Sequence, residues 1–166
     1  MRRRAVVALL IWAGLTPALR AQQPATVVYL VRHAEKADDS RDPPLSPAGV
    51  VRAERLARML TDAGITQVWS TDFQRTRATA GPIAAQRGLT IAIYDGAKLA
   101  ELAEQLRSTP GRHLVVGHSN TTPALVRLLG ADPGTPIADT EYDRFYVVTL
   151  APGSATGVLL RFPLAP

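Results

Sequence analysis

The chain has 166 residues, with 19 Lys and Arg against 14 Asp and Glu, a formal charge of +5 and no cysteine. That length suits one domain with a full hydrophobic core, and the lack of cysteine excludes disulfides, thiolate chemistry and cysteine-based zinc sites. The positive excess does not point to a nucleic-acid partner, because Arg2, Arg3, Arg4 and Arg20 carry most of it and leave 15 basic against 14 acidic residues in the remainder.

The beginning of the chain reads as a secretory signal. Arg2 to Arg4 form a basic region, Ala5 to Leu15 an apolar one, and Leu19-Arg20-Ala21 offers a cleavage point before Gln22. About eleven apolar residues fall well short of the roughly 20 that a bilayer span needs. The expectation is therefore a signal peptide over residues 1–21 and a single domain over 22–166, periplasmic or secreted, with no stable membrane anchor after cleavage.

Thr26 to Lys36 reads TVVYLVRHAEK. Val27 to Val31 carry no charge and do not alternate, which predicts a central strand covered on both faces, and the run stops abruptly at Arg32-His33. Ser46-Pro47 predicts a helix start, with Ser46 capping and Pro47 in the first turn; Ala53, Leu56, Ala57 and Leu60 then recur at helical spacing as far as Gly64. Ile65 to Ser70 predicts a second strand, and Ser70-Thr71-Asp72 supplies turn and cap residues for a helix from about Phe73 to Gln86. Thr90 to Tyr94 is a third predicted strand, followed by a helix from about Ala97 to Arg107 with Leu99, Leu102, Ala103 and Leu106 as its buried stripe. Leu114 to Gly117 predicts a fourth strand, and Pro123 the start of a helix to about Leu129. After a loop from Gly130 to Asp143, Arg144 to Leu150 and Val158 to Phe162 predict a closing hairpin around Pro152-Gly153. Strands alternating with helices predict an α/β three-layer sandwich: a mostly parallel central sheet, helices on both faces and an antiparallel edge.

In such a sheet ligands bind beyond the carboxyl ends of the strands. Those ends carry Arg32-His33, Ser70 to Arg75, Asp95 and His118-Ser119-Asn120, so these groups are expected to converge on one edge. His113 begins its strand and belongs at the opposite edge, as a structural residue.

These residues carry a resemblance. Arg32-His33-Ala34-Glu35 resembles the Arg-His-Gly-Glu signature of the histidine phosphatase superfamily, whose fold is that of the phosphoglycerate mutases. Leu45-Ser46-Pro47-Ala48-Gly49 is similar to its Leu-Thr/Ser-x-x-Gly helix start, Ser70 to Ala80 to its Ser-x-x-x-x-Arg-Thr-x-x-Thr-Ala segment, and Val116-Gly117-His118 to its Val-Gly-His motif. In size the chain resembles the compact phosphohistidine phosphatases of that superfamily. The resemblance implies hydrolysis of phosphate monoesters, with His33 as the nucleophile that forms a phosphohistidine and Arg32, Arg75 and His118 holding the phosphoryl group, without metal or other cofactor. Glu35, Ser119 and Asn120 are further substrate-binding candidates. The implied partner is a phosphorylated small molecule or a phosphorylated macromolecule.

A proton donor for the leaving oxygen does not transfer by direct match. Asp95 is placed first because it sits at the end of the third strand; Glu101, which points away from its helix's apolar stripe, and Glu35 are the alternatives. Ala34 stands where the superfamily motif has glycine, which requires a backbone that tolerates a Cβ. Two rival readings compete. Gly117-His118-Ser119-Asn120-Thr121 approximates a nucleophile elbow, but a serine hydrolase of that class needs a histidine after its serine and none follows. The other is a catalytically inactive phosphate- or phospholigand-binding module with the same pocket.

Overall fold

The computed structural model describes residues 25–163; the expected signal segment lies outside them. β1 (Thr26–Arg32) occupies the interior of the sheet because its run of apolar residues has both faces to fill: Val28, Leu30 and Val31 are at most 1% exposed. It pairs in parallel with β4 (Arg112–Gly117) on one side and antiparallel with β5 (Arg144–Ala151) on the other. β2 (Gln67–Ser70), β3 (Ile91–Ile93) and β6 (Ser154–Arg161) complete a six-stranded sheet in the order β3-β2-β4-β1-β5-β6. The four strands from β3 to β1 are parallel, and the β5–β6 hairpin is the antiparallel edge. This is the expected sandwich.

The helices α1 (Pro47–Met59) and α2 (Gln74–Arg87) bury Leu56, Ala57, Ile83 and Ala84 against one face of the sheet. On the other face α3 (Leu99–Ser108) and α4 (Thr121–Leu128) bury Leu102, Leu106, Leu125 and Val126. Two helix starts differ from the sequence reading. α2 takes no cap from Ser70, Thr71 or Asp72: its cap position is Phe73, which offers no side-chain acceptor, and the Gln74 N–H is instead accepted by Asp42 Oδ1 at 2.8 Å, reaching across from the preceding loop. α4 begins two residues before Pro123, since a proline in the first turn removes an N–H that has no intrahelical partner anyway. α1 starts as expected, with the Ser46 hydroxyl accepting from Gly49 N.

Two motif glycines have a packing reason. A Cβ on Gly49 would stand 2.2 Å from the Glu35 carbonyl oxygen, and one on Gly117 within 2.9 Å of Thr121 Oγ1, Thr122 Oγ1 and Tyr94 OH. Both let other chain segments approach the site end of β1 and β4 closely. Ala34, by contrast, needs no glycine: no non-glycine residue among those described has a positive φ, and its methyl is fully buried.

Candidate active site

In the parallel register Arg32 pairs with Gly117 and His33 N–H donates to Gly117 O at 2.8 Å, so His33 and His118 emerge from adjacent strand ends at the same level. Their rings meet edge to face with centroids 5.3 Å apart. Together with Arg32 and Arg75 they line a cavity of about 420 Å³, whose remaining wall includes Lys36, Phe73, Ser119 and Asn120. Ser119 and Asn120 lie in this wall. Asp95, Glu101 and Glu35 are not in this wall, and no carboxylate is.

The protonation of His33 follows from its neighbour. Its Nδ1 lies 2.7 Å from the Ala34 carbonyl oxygen, which can only accept, so Nδ1 carries the proton. Nε2 is then the bare lone pair of the neutral ring. Burial lowers the ring pKa to about 3, with Arg32, His118 and Arg75 adding to the effect against the Ala34 hydrogen bond. Desolvation is thus a larger cause of the ring's neutrality than the arginines. Ala34 is itself fixed, since its N–H donates to Thr79 Oγ1 at 2.9 Å and that hydroxyl donates to Arg75 O at 2.7 Å. The second threonine of the Arg-Thr-x-x-Thr segment therefore ties the loop after β1 to α2.

Each arginine is held by contacts that leave part of its guanidinium available. Arg32 Nη1 donates to the carbonyls of Ala138, Asp139 and Glu141 at 2.8, 3.0 and 3.0 Å, and its guanidinium lies 4.2 Å from the ring centroid of Tyr142. Arg75 stacks at 4.4 Å on Phe73 and approaches His118 Nδ1 with Nη2 at 3.5 Å. Arg32 Nε, Arg75 Nε and Arg75 Nη1 are buried without a hydrogen-bond partner. Buried donors of that kind are costly unless something accepts from them, and an anion in the cavity supplies acceptors. Asp42 Oδ1, 3.7 Å from Arg75 Nη1, is too distant to do so.

His118 presents Nδ1 towards Arg75 and has Nε2 2.9 Å from Thr71 Oγ1. The Thr71 hydroxyl donates to Thr76 Oγ1, so it accepts from His118, which places the ring proton on Nε2 in the neutral form. Burial lowers this ring to about 4, with Arg75 and Arg32 contributing.

The three acid candidates are dispersed. The Glu35 carboxylate takes bonds from Arg52 Nε and Nη2, the shortest at 2.6 Å, and fastens β1's exit to α1. Glu101 is exposed and pairs with Lys98 at 3.6 Å. Asp95 is exposed, accepts from Ala97 N at 2.9 Å, and lines an adjoining cavity that shares Phe73 and His118 with the first. His113 is fully buried, with Nδ1 accepting from Trp69 Nε1 at 3.1 Å and Nε2 facing Thr109 O at 3.0 Å, away from the site.

Sequence reasoning missed Tyr142 and Arg52, and gave Thr71 and Phe73 no individual role although they lie in the Ser70-to-Arg75 stretch expected at the site. The two threonines of the Arg-Thr-x-x-Thr segment are visible as a motif, but an aromatic ring in a loop 110 residues from Arg32 has no local signal.

Known proteins share part of this sequence and its fold. Residues 28–103 match the profile of the histidine phosphatase superfamily (branch 1). Over 71 residues the chain is 38% identical to GpmB of Yersinia pestis (strain Pestoides F), a probable phosphoglycerate mutase; the match takes in 39% of this chain and 33% of that protein, so the chain spans about a third of the length of the curated relatives it matches. The solved structure of the protein histidine phosphatase SixA complexed with tungstate superposes with a TM-score of 0.67 at 21% identity, over 81% of this chain and 96% of that one. Phosphoglycerate mutase from Bacillus anthracis str. Sterne superposes at 0.63 with 14% identity, over 85% and 94%. At these identities the two structures establish the fold.

Proposed function

We propose that this chain is a histidine phosphatase that hydrolyses phosphate monoesters through a phosphohistidine on His33, a reading supported by the match of residues 28–103 to the histidine phosphatase superfamily (branch 1) and by the fold. The observation that carries this reading is the bare Nε2 of a neutral, buried imidazole facing a cavity with unsatisfied arginine donors. Nε2 attacks phosphorus, the P–N bond forms and the ester P–O bond breaks; water then attacks the phosphoryl group, releasing inorganic phosphate and restoring the ring. Dividing the hydrolysis in this way suits a weakly basic nitrogen, which is also a good leaving group in the second step. Arg32 and Arg75 hold the equatorial oxygens, where fixed charge in a partly buried site stabilises the transition state; His118, whose ring proton is engaged by Thr71, positions Arg75 through Nδ1.

The leaving oxygen finds no carboxylate in the cavity wall. Fast turnover is therefore expected for substrates whose leaving group needs no proton from the enzyme, such as the aryloxide of an aryl phosphate or the imidazole of a phosphohistidine. Asp95, across His118 in the adjoining cavity, is the proposed donor for poorer leaving groups. We place the protein in the periplasm or outside the cell, with residues 1–21 as its export signal, so that its substrate is a phosphorylated small molecule or macromolecule met there.

The test is phosphate release from an aryl phosphate by wild type and His33→Ala, with trapping of acid-labile phosphoenzyme. Release and trapping by wild type, both lost in His33→Ala, are expected. Undiminished release by the variant would refute the mechanism, and a wild type that binds vanadate without turnover would favour the inactive binding module.

A further inference from the structure

A second cavity, of about 370 Å³, shares Ser119 and Asn120 with the phosphoryl cavity and continues away from it along α4. Its helix wall is Asn120, Pro123, Ala124 and Arg127, at the spacing i, i+3, i+4, i+7 that defines one helical face. That face is two turns long, about 10 Å. The opposite wall is the loop from Gly134 to Ile137.

The loop is held rigidly. Arg144, 4% exposed, donates to the carbonyl oxygens of Pro133, Thr135 and Pro136 and to the Thr135 hydroxyl, and the buried Tyr146 hydroxyl donates to Pro133 O at 2.9 Å. A loop fastened from beneath by a buried guanidinium is a preformed wall, which lowers the ordering cost of whatever binds against it.

The charge around the phosphoryl cavity is asymmetric. The cavity along α4 has no carboxylate in its wall and one cation, Arg127, at its far end. The cavity on the other side carries Asp72 and Asp95. A cation in the last turn of a helix is ordinary. This one, however, is exposed, forms no ion pair among the described residues, and closes a cleft that opens onto the catalytic pair.

We propose that the α4 cavity is the leaving-group subsite, and that it selects substrates whose leaving group is compact and largely apolar and bears a second anionic group, carboxylate or phosphate, which pairs with Arg127. Pro123, Ala124, Pro136 and Ile137 contact the apolar part. The acidic cavity repels only the second anion and so directs that end of the leaving group towards Arg127, while the ester oxygen stays in the phosphoryl cavity between the two flanks. This assignment rests on the phosphatase reading.

The experiment compares 4-carboxyphenyl phosphate with its methyl ester, in wild type, Arg127→Ala and Arg127→Glu. Wild type should prefer the carboxylate by about tenfold in kcat/KM, the worth of one charge-assisted contact; the ratio should fall to about one in Arg127→Ala and invert in Arg127→Glu. Because the ratio is taken within one protein, a variant that folds poorly does not distort it. Equal use of both esters by wild type, or a preference that survives Arg127→Glu, would overturn the subsite while leaving the phosphatase reading intact. If neither ester is hydrolysed, the phosphatase reading fails, and calorimetry with 4-carboxybenzylphosphonate against benzylphosphonate decides the subsite alone: tighter binding of the carboxylate, abolished in Arg127→Glu, supports it, and equal binding overturns it.

Discussion

Replacing His33 by Asn should flatten the acid side of the protein's stability curve. The native ring is buried and its pKa lowered to about 3, whereas the unfolded ring titrates at about 6.5. Between those values the unfolded chain binds more protons than the native one, so this group's contribution to stability is full above about pH 6.5 and is lost as the pH falls towards 3. At about pH 5 the unfolded ring is almost wholly protonated and the native ring still neutral. One and a half pH units below the unfolded midpoint, at about 1.4 kcal/mol per unit, is a loss of about 2 kcal/mol. The assay is urea denaturation of wild type and His33→Asn at about pH 7.5 and about pH 5, comparing the drop in unfolding free energy within each protein. Carboxylates and the other histidines titrate in both proteins, so the wild-type drop should exceed the variant's by about 2 kcal/mol. Equal drops would refute a neutral, buried His33 and with it the bare Nε2 on which the mechanism depends.

Arg75→Lys keeps the charge but loses the planar fork that lies between Phe73 and His118, and kcat/KM for an aryl phosphate should fall by about 10² to 10³ in steady-state kinetics, as for loss of one fixed transition-state donor. Glu35→Ala leaves the Arg52 guanidinium, whose side chain is 8% exposed, without its carboxylate, and should cost about 3 kcal/mol in urea denaturation; a raised KM with undiminished stability would instead return Glu35 to the substrate. Asp95→Asn should slow alkyl phosphates by about 10² while sparing activated aryl phosphates, read as the change in their kcat ratio. Equal slowing of both would remove Asp95 as a proton donor.

Elements with local causes could be read from the sequence. The uninterrupted apolar run of β1, the Ser46-Pro47 start of α1 and the Pro152-Gly153 turn are each decided within a few residues and stand where expected, although the strand after that turn begins at Ser154 and not at Val158, its first residues being set by pairing with β5. The convergence of Arg32, His33, Arg75 and His118 could be expected from a parallel sheet, because such a sheet sends all its strand ends to one side. What could not be read is whatever depends on a partner far along the chain. Asp42 caps α2 from another loop, Arg52 captures Glu35, and Tyr142 covers Arg32; no spacing rule links those pairs. Glu35 illustrates the limit. Its place beside the nucleophile suggests substrate, and only the position of α1 shows that a guanidinium has already claimed it.

The ten residues from Pro133 to Tyr142 touch two buried arginines with separate duties. Arg144 secures the wall of the α4 cavity, and Arg32 of the phosphoryl pair is steadied by the carbonyls of Ala138, Asp139 and Glu141. The proposed subsite and the proposed phosphoryl site thus hang from a single ribbon of backbone. Lengthening or shortening that ribbon to admit a new leaving group would swing Arg32 out of aim. Exchanging side chains at Gly134, Thr135 or Ile137 would leave the backbone carbonyls where they are. On the proposed assignments, a change of leaving group is therefore expected to be tolerated as point substitutions on the loop and not as insertions, which would displace Arg32.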